Sequence, residues 1–350
     1  TAPPQKHSTN SLLPPIDTAM YRISSLFKVV FWCACTDVGA LVQIASCDHG
    51  SYEEICVGPF ASSDDSGAPF EVGSSFENGR GRMNSTMMDG PAVALDSGSA
   101  FSGLVEIRAA SLVGDCHVQN RLRRKDAYAV HVAQDSARIE LVVCDGVGSR
   151  TRSNVGASIV ATTVAGEAAF GNPDPINEAR SMLVRRAELA GIPAIEYSTT
   201  LIWVEVTLGA PGDAWLARLV HYGDGEVRLL NRQQCQWRSV CQSDHVDEAD
   251  GRSFALPLAT QPRWEYEFSW QPGDVLVLAT EGIAYYLDSE TKVGHYLSRS
   301  WCSPPDRWAF LNDVAFRTLG AGDDRTAVAL WRTDVEHIAG SSELSVGGGI

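Results

Sequence analysis

The chain has 350 residues, 44% hydrophobic and 20% charged, so it is long enough for one large domain or two ordinary ones with a sizeable core. Its formal net charge of -15 argues against binding to nucleic acid or an anionic membrane, since both rely on Lys and Arg to neutralise phosphates. The nine cysteines include no C-x-x-C pair, which favours a reduced, cytoplasmic protein over a disulfide-stapled one.

Residues 1–104 differ in composition from the rest of the chain. They open with two Pro-Pro pairs, and residues 61–103 are dense in Gly, Ser and Asp with little periodicity. Such a composition buries too little apolar surface to offset the entropy of ordering. We therefore predict a low-complexity, largely disordered segment over 1–104, with 27–44 as its one candidate ordered piece.

An apolar stretch within this segment raises the alternative of export. It ends in Ile44-Ala45-Ser46-Cys47, which resembles a lipoprotein cleavage box. Lys28 and Asp37 interrupt it, and the approach is long for a signal peptide, so we prefer the cytoplasmic interpretation.

From residue 104 onward the pattern tightens into short strands, several of which alternate apolar and polar residues. We predict strands at 104–109, 127–133, 138–144, 199–208, 215–222, 226–230, 264–270, 274–279 and 326–331. Terminal Pro, Gly and capping residues predict helices at 153–169, 175–190 and 306–319. Strands in runs with helices between the runs indicate an α+β fold, with residues 336–350 as a flexible tail.

Four acidic residues stand where apolar strands begin or end: Asp126, Asp145, Glu281 and Asp323. Strand ends from distant parts of a chain can meet at one rim of a sheet, where carboxylates repel one another unless a divalent cation lies between them. Hard cations such as Mg²⁺ and Mn²⁺ take such oxygen ligands, and the glycines after Asp145 and Glu281 are expected to let the backbone turn sharply. The alternative is that each acid is only a solvated turn residue.

Five motifs occur in a characteristic order along residues 105–335. They are Gly114-Asp-Cys-His117 followed by Asp126-Ala-Tyr-Ala-Val, Cys144-Asp145-Gly146-Val147-Gly148-Ser149, Tyr222-Gly223-Asp224-Gly225, Gly273-Asp274 running to Glu281-Gly282, and Asp323-Asp324-Arg325-Thr326. Together they resemble the metal-dependent protein phosphatase family, of the protein phosphatase 2C type, in its bacterial branch.

The resemblance implies a four-layer α-β-β-α sandwich of two antiparallel sheets flanked by helices, with two metal ions at one end. It implies that Asp145 bridges both ions, that Gly146 offers its carbonyl, and that Glu281 and Asp323 complete one ion. Asp126 would act through a water molecule. Asp224 matches a position that can help hold a third, weaker ion.

The phosphate-binding arginine of the family matches Arg121, five residues before Asp126. The planar guanidinium suits bidentate contacts with phosphate oxygens. Arg123 and Arg124 are near enough to serve instead, and a solvated basic patch is the alternative. His117 is either a hydrogen-bonding group near the site or a structural residue.

Two residues depart from the family pattern, and both bear on activity. Glu281 stands where an aspartate is usual, and its extra methylene pushes the carboxylate outward. Lys125 stands where an acid or amide normally precedes the aspartate, and a cation there would compete with a metal. Val147 leaves no histidine after Asp145-Gly146, as in other bacterial members.

The resemblance implies a Mn²⁺- or Mg²⁺-dependent serine/threonine phosphoprotein phosphatase, in which a metal-bridging water attacks phosphorus directly. We expect a phosphoserine or phosphothreonine protein as substrate, a cognate Ser/Thr kinase pathway as a candidate partner, and a monomer. The alternative is a pseudophosphatase of the same fold, a regulatory or binding module with weak or no metal binding.

Overall fold

A computed structural model describes residues 92–241, 254–316 and 322–333 in full, together with five short strands before residue 92. The chain divides into two compact units, Thr1–Gly67 and Ala68–Ile350. In the first unit, strands β1 (Lys28–Phe31), β2 (Val42–Ser46) and β3 (Glu53–Ile55) form an antiparallel sheet in that order. The rest of the segment predicted to be disordered before residue 71, and the predicted tail 336–350, lie outside the described residues.

The second unit contains two large sheets. Its strands are β4 (Glu71–Val72), β5 (Arg82–Asn84), β6 (Val93–Ala100), β7 (Val105–Leu112), β8 (Ala127–Ala133), β9 (Arg138–Cys144), β10 (Leu201–Thr207), β11 (Trp215–Tyr222), β12 (Glu226–Asn231), β13 (Gln236–Ser239), β14 (Trp264–Trp270), β15 (Asp274–Ala279) and β16 (Arg325–Arg332). One sheet has the order β14-β11-β10-β9-β8-β5 and the other β13-β12-β15-β16-β7-β6-β4. Neighbouring strands run antiparallel, except that β4 and β6 are parallel.

The described residues of the second unit form six α-helices, of which α2 to α6 cover the outer faces of the two sheets. They are α1 (Asp115–Gln119), α2 (Ser153–Ala169), α3 (Pro175–Ala190), α4 (Glu281–Ala284), α5 (Lys292–Ser300) and α6 (Arg307–Val314). Buried side chains of α2 and α3 pack on the six-stranded sheet, and those of α4, α5 and α6 pack on the seven-stranded sheet. A third apolar core fills the space between the sheets. The predicted α+β, four-layer α-β-β-α sandwich is therefore confirmed.

Local sequence signals explain where the helices begin and end. The Asp174 carboxylate accepts a hydrogen bond from the Asn177 N–H at the start of α3, and Gly191, with φ of 66°, ends it. The bounds of α2 and α3 are those predicted from sequence. The predicted helix 306–319 begins one residue later, since Asp306 is its N-cap, and ends at Val314. Its last predicted residues, 317–319, lie outside the described part.

Strand β6 lies inside the segment that was predicted to be largely disordered. All eight of its residues pair with β7, from Val93↔Leu112 to Ala100↔Val105. Leu95 and Ala100 are buried, so this strand belongs to the second unit. The folded unit therefore begins before residue 105, the boundary that composition had suggested.

None of the helices in the described part of the chain combines the length and apolar character needed to cross a membrane.

Candidate metal-binding site

Asp126 precedes β8 and is buried at one end of the sandwich. Its Oδ2 atom accepts hydrogen bonds from the Thr280 hydroxyl at 2.7 Å and the Thr326 hydroxyl at 2.8 Å. Its Oδ1 atom is buried without a hydrogen-bond donor among the described residues. Because a buried carboxylate oxygen without a donor is costly, this atom is suited to a cation or to water.

Asp145 follows β9, and the pairing Ala127↔Cys144 places it at the same end of the sheet as Asp126. Its N–H donates to the Thr200 hydroxyl at 2.9 Å, and its carbonyl accepts from the Thr200 N–H at 2.8 Å. These two hydrogen bonds hold the backbone of residue 145 against Thr200. The position of the half-buried Asp145 carboxylate is thereby fixed.

The other sheet contributes the remaining acids at this end. β15 and β16 are antiparallel, so Glu281 after β15 and Asp323 before β16 reach the same edge. Asp224 lies in the turn between β11 and β12 and joins them there. Glu281 lies just after β15, whose bounds are those predicted, and is the first residue of the short helix α4.

The electrostatics show that these carboxyl groups are close together. Burial raises the pKa of Asp145 well above its ordinary value, and the charges of Asp126, Asp323 and Asp224 raise it further. Burial, followed by the charges of Asp224 and Asp323, likewise raises the pKa of Glu281. The structure thus brings the predicted acidic residues together, and their role as metal ligands stays a prediction.

Asp126 shows the same effect. Burial and the charge of Asp324 raise its pKa, against the opposing hydrogen bonds from Thr280 and Thr326. Carboxylates that raise one another's pKa favour holding protons or a cation, since either relieves their repulsion.

The two glycines after the acids are required for a different reason from the one expected. Neither Gly146 nor Gly282 has a positive φ, so neither makes a sharp turn that only glycine allows. A Cβ at Gly146 would lie 2.8 Å from the Ser153 backbone, and one at Gly282 would lie 1.9 Å from the Asp324 carbonyl oxygen. Close backbone approach, not turning, excludes side chains at these positions.

Asp324 is a site residue that sequence reasoning missed. Its buried carboxylate accepts from the Gly114 N–H at 2.6 Å, the Lys125 N–H at 2.5 Å and His117 Nδ1 at 2.8 Å. The hydrogen bond with Asp324 is the largest cause of the raised pKa of His117. Asp324 therefore joins α1 and the start of β8 to the start of β16, which positions Asp126.

Lys125 does not point its charge at the carboxylates. Its ammonium group donates to the Gly148 carbonyl, in the loop that follows Asp145. Because the ammonium group of Lys125 is bound to this loop, we do not expect it to compete with a metal for the carboxylates.

The residues present fit a divalent cation. The donors are hard carboxylate oxygens, which suit Mg²⁺ and Mn²⁺. In addition, ligand atoms of His117, Asp323 and Asp324 lie within 4.8 Å of one another, although Asp324 is already engaged in hydrogen bonds.

The three candidate arginines differ in burial. Arg124 is buried and donates to the Ser111 carbonyl at 3.2 Å, so it does not face solvent. Arg121 and Arg123 are exposed, and Arg121 has a left-handed backbone with φ of 54°. Arg121 therefore remains a candidate for phosphate binding, with Arg123 as the competing candidate.

If Arg121 grips the phosphate, Arg121→Ala should lower kcat/KM for a phosphothreonine peptide by roughly 10- to 100-fold, because a charge-assisted hydrogen bond is lost. Steady-state kinetics with the peptide provide the measurement. Arg123→Ala, which removes a neighbouring exposed cation, is the matched control and should change kcat/KM by less than about threefold. The reverse pattern would assign the role to Arg123.

The structure is thus a sandwich of two antiparallel sheets in which both sheets contribute acidic residues to one end. The family model described as Protein phosphatase 2C matches residues 113–309, which is more than half of the chain. The chain belongs to the protein phosphatase 2C family. No match was found among curated proteins.

Solved structures of similar proteins cover 65% of this chain. PppA, described as a key regulatory component of T6SS in Pseudomonas aeruginosa, is 17% identical, with 97% of its own chain covered and a TM-score of 0.44. The Mycobacterium tuberculosis serine/threonine phosphatase PstP/Ppp is 18% identical, with 98% covered and a TM-score of 0.44. RsbX in complex with magnesium is 13% identical, with 96% covered and a TM-score of 0.45.

Proposed function

We propose that this protein is a Mn²⁺- or Mg²⁺-dependent serine/threonine phosphoprotein phosphatase. The observation that carries the proposal is the meeting of Asp126, Asp145, Asp224, Glu281 and Asp323 at one end of the sandwich, where burial and mutual repulsion raise the pKa of several of them. Membership of the protein phosphatase 2C family supports the same chemistry.

Each side chain has a role in this proposal. Asp145, Glu281 and Asp323, with the Gly146 carbonyl, would hold two cations, and Asp224 would help to hold a weaker third. Divalent cations, when bound, would supply the positive charge that activates a water and stabilises the transferring phosphoryl group.

The hydroxyls behind Asp126 orient it for this task. Thr280 and Thr326 both donate to Oδ2, and Thr326 contacts the Ser111 hydroxyl at 2.5 Å. Oδ2 is thereby fixed, which leaves Oδ1 to orient a water next to the cations. Arg121 would hold the phosphate oxygens.

The proposal extends to the biological setting. The substrate would be a phosphoserine or phosphothreonine protein in a signalling pathway that includes a cognate kinase. We propose a cytoplasmic monomer that binds neither nucleic acid nor membrane, in agreement with the net charge of -15.

Hydrolysis of a phosphothreonine peptide by the full chain, followed by phosphate release, tests the function. We expect activity with Mn²⁺ or Mg²⁺ and its loss in excess EDTA, with recovery when the metal is restored. Undiminished hydrolysis in excess EDTA would contradict the proposal.

The alternative of a pseudophosphatase is favoured by one observation. Burial raises the pKa of the Glu281 carboxyl group, the charges of Asp224 and Asp323 raise it further, and a hydrogen bond with Asp224 would compete with a metal for this carboxyl group. A pseudophosphatase would show no tight Mn²⁺ site in calorimetry. A metal-dependent enzyme would show binding with proton release, since carboxyls of raised pKa must lose their protons to the metal.

Shortening this side chain separates the two possibilities. Glu281→Asp should raise Mn²⁺ affinity by roughly tenfold, because the carboxylate withdraws from Asp224 and approaches the geometry that the metal prefers. Calorimetric titration of both proteins provides the comparison, and Glu290→Asp, at an exposed position on the loop before α5, controls for the lost methylene. Equal or weaker affinity in Glu281→Asp would show that glutamate is the better ligand here.

A further inference from the structure

A pair of thiols lies far from the carboxylates. Cys235 and Cys302 are free, and their sulfur atoms lie 3.2 Å apart although 67 positions separate them in the chain. A disulfide bond is about 2.05 Å long, so the sulfurs need approach by only about 1 Å to bond. Both residues are partly exposed, which leaves the pair open to a small reagent.

The backbone around the pair holds the two sulfurs against each other. Cys235 lies in the turn between β12 and β13, with φ of 50°, and Cys302 follows α5. Both thiols contact the Arg232 carbonyl oxygen, at 3.8 Å and 3.3 Å respectively, and Cys302 Sγ also contacts the Ser298 carbonyl oxygen at 2.9 Å. The Arg232 guanidinium in turn donates to the Cys302 carbonyl and, at 3.2 Å, to the Arg332 carbonyl. The two loops are therefore joined before any covalent bond forms.

We propose that Cys235 and Cys302 form a reversible intramolecular disulfide by exchange with a low-molecular-weight disulfide such as oxidised glutathione. The thiolate of Cys235 attacks one sulfur of the reagent, forming a mixed disulfide and releasing one reagent thiol. Cys302 then attacks the Cys235 sulfur and releases the second. The protein loses two protons and two electrons, and the reagent takes them up as two thiols.

The order of attack follows from the surroundings of Cys302. Burial and the neighbouring Cys235 raise the pKa of the Cys302 thiol to about 11, so little of it is ionised at neutral pH. It is therefore the resolving thiol, and its contact with Cys235 compensates for its low ionisation.

The position of the pair indicates what the bond does. β12 begins beside Asp224 and ends at Asn231, so Cys235 lies at the opposite end of the seven-stranded sheet from the carboxylates. The disulfide would join the β12–β13 hairpin to the segment after α5 and close a loop that contains β13, β14, β15, α4 and α5. Closing a loop of this length restricts the unfolded chain and stabilises the fold. The inference does not depend on the proposed function.

Peptide mapping of the full chain tests the proposal directly. The protein is incubated with oxidised glutathione, alkylated under denaturing conditions and digested with trypsin without reduction. We expect a linked species of peptides 233–238 and 300–307, which a reductant separates. Oxidised protein in which both peptides are alkylated, or in which either is linked to another cysteine, would overturn the proposal.

Variants and thermal denaturation give a second readout. Oxidation should raise the Tm of the unsubstituted chain by about 5 °C or more, and should do the same in Cys116→Ser, the control at an exposed thiol. Cys235→Ser and Cys235→Ala should both lose this increase. Equal increases in Cys235→Ala and the unsubstituted chain would assign the effect to other cysteines and contradict the proposal.

Discussion

Asp145→Asn is expected to lower kcat/KM for a phosphothreonine peptide by on the order of 10³-fold and to abolish calorimetric Mn²⁺ binding. Burial raises the pKa of Asp145 well above its ordinary value, and the charges of the other acids at the rim raise it further, so its carboxylate lies among them. The amide keeps the shape of the side chain and removes the charge. The backbone bonds of residue 145 to Thr200 do not involve the carboxylate, so the fold should survive.

The same variant should be more stable than the unsubstituted chain in the absence of metal. Its carboxylate is destabilised by burial and by its neighbours, and removing a repelled charge relieves that energy. Urea denaturation in EDTA measures this effect. Asp213→Asn, at an exposed position in the β10–β11 loop, is the control for both readouts. Metal-dependent activity of Asp145→Asn within about threefold of the control would contradict a metal-binding role for Asp145.

Asp324→Ala is expected to reduce the free energy of unfolding by about 3 kcal/mol, because it leaves the Gly114 and Lys125 N–H groups without their acceptor. The His117 ring loses its partner as well. The measurement is the shift of the urea midpoint at constant m-value, for full-length protein in EDTA.

Asp323→Ala is the matched control because it removes the adjacent carboxylate, which is exposed and accepts only the Asp324 N–H at 2.9 Å among the hydrogen bonds described. Its stability should change by less than about 1 kcal/mol, while its Mn²⁺ binding is lost. Asp324→Ala should thus mainly lower the free energy of unfolding, whereas Asp323→Ala should mainly abolish Mn²⁺ binding. A stable Asp324→Ala variant would show that these three hydrogen bonds are not needed to hold α1 and β8 in place.

Much of the fold could be predicted from apolar runs with clear ends. The strand 138–144 and the helices 153–169 and 175–190 have the predicted bounds because their boundaries are local signals. Strand β6 could not be predicted in this way. Its sequence, Val-Ala-Leu-Asp-Ser-Gly-Ser-Ala, has only two large apolar side chains, Val93 and Leu95. The strand is ordered by pairing along its full length with β7, the next strand in the chain, and by the burial of Leu95 in the core under the flanking helices.

The candidate site could also be predicted only in part from the sequence. The acidic residues could be predicted as a site because they lie at strand ends, which a sheet can bring together. The order of the five motifs along the chain indicated which strand ends meet. Which of Asp323 and Asp324 turns inward depends on the contacts that α1 and β8 make with the β16 end, so the buried role of Asp324 was missed. The direction of a long, flexible side chain such as Lys125 is also set by tertiary contacts, here the Gly148 carbonyl.

The hydroxyl contacts of Asp126 cross from one sheet to the other. Asp126 precedes a strand of the six-stranded sheet, whereas Thr280 follows β15 and Thr326 lies in β16, two strands of the seven-stranded sheet. A cation held by Asp145 and Asp323 would add a second link across the same boundary, so metal binding and the docking of the two sheets would be thermodynamically linked. Any substitution that shifts one sheet against the other should therefore change the metal affinity, even when the substituted residue lies deep in the core.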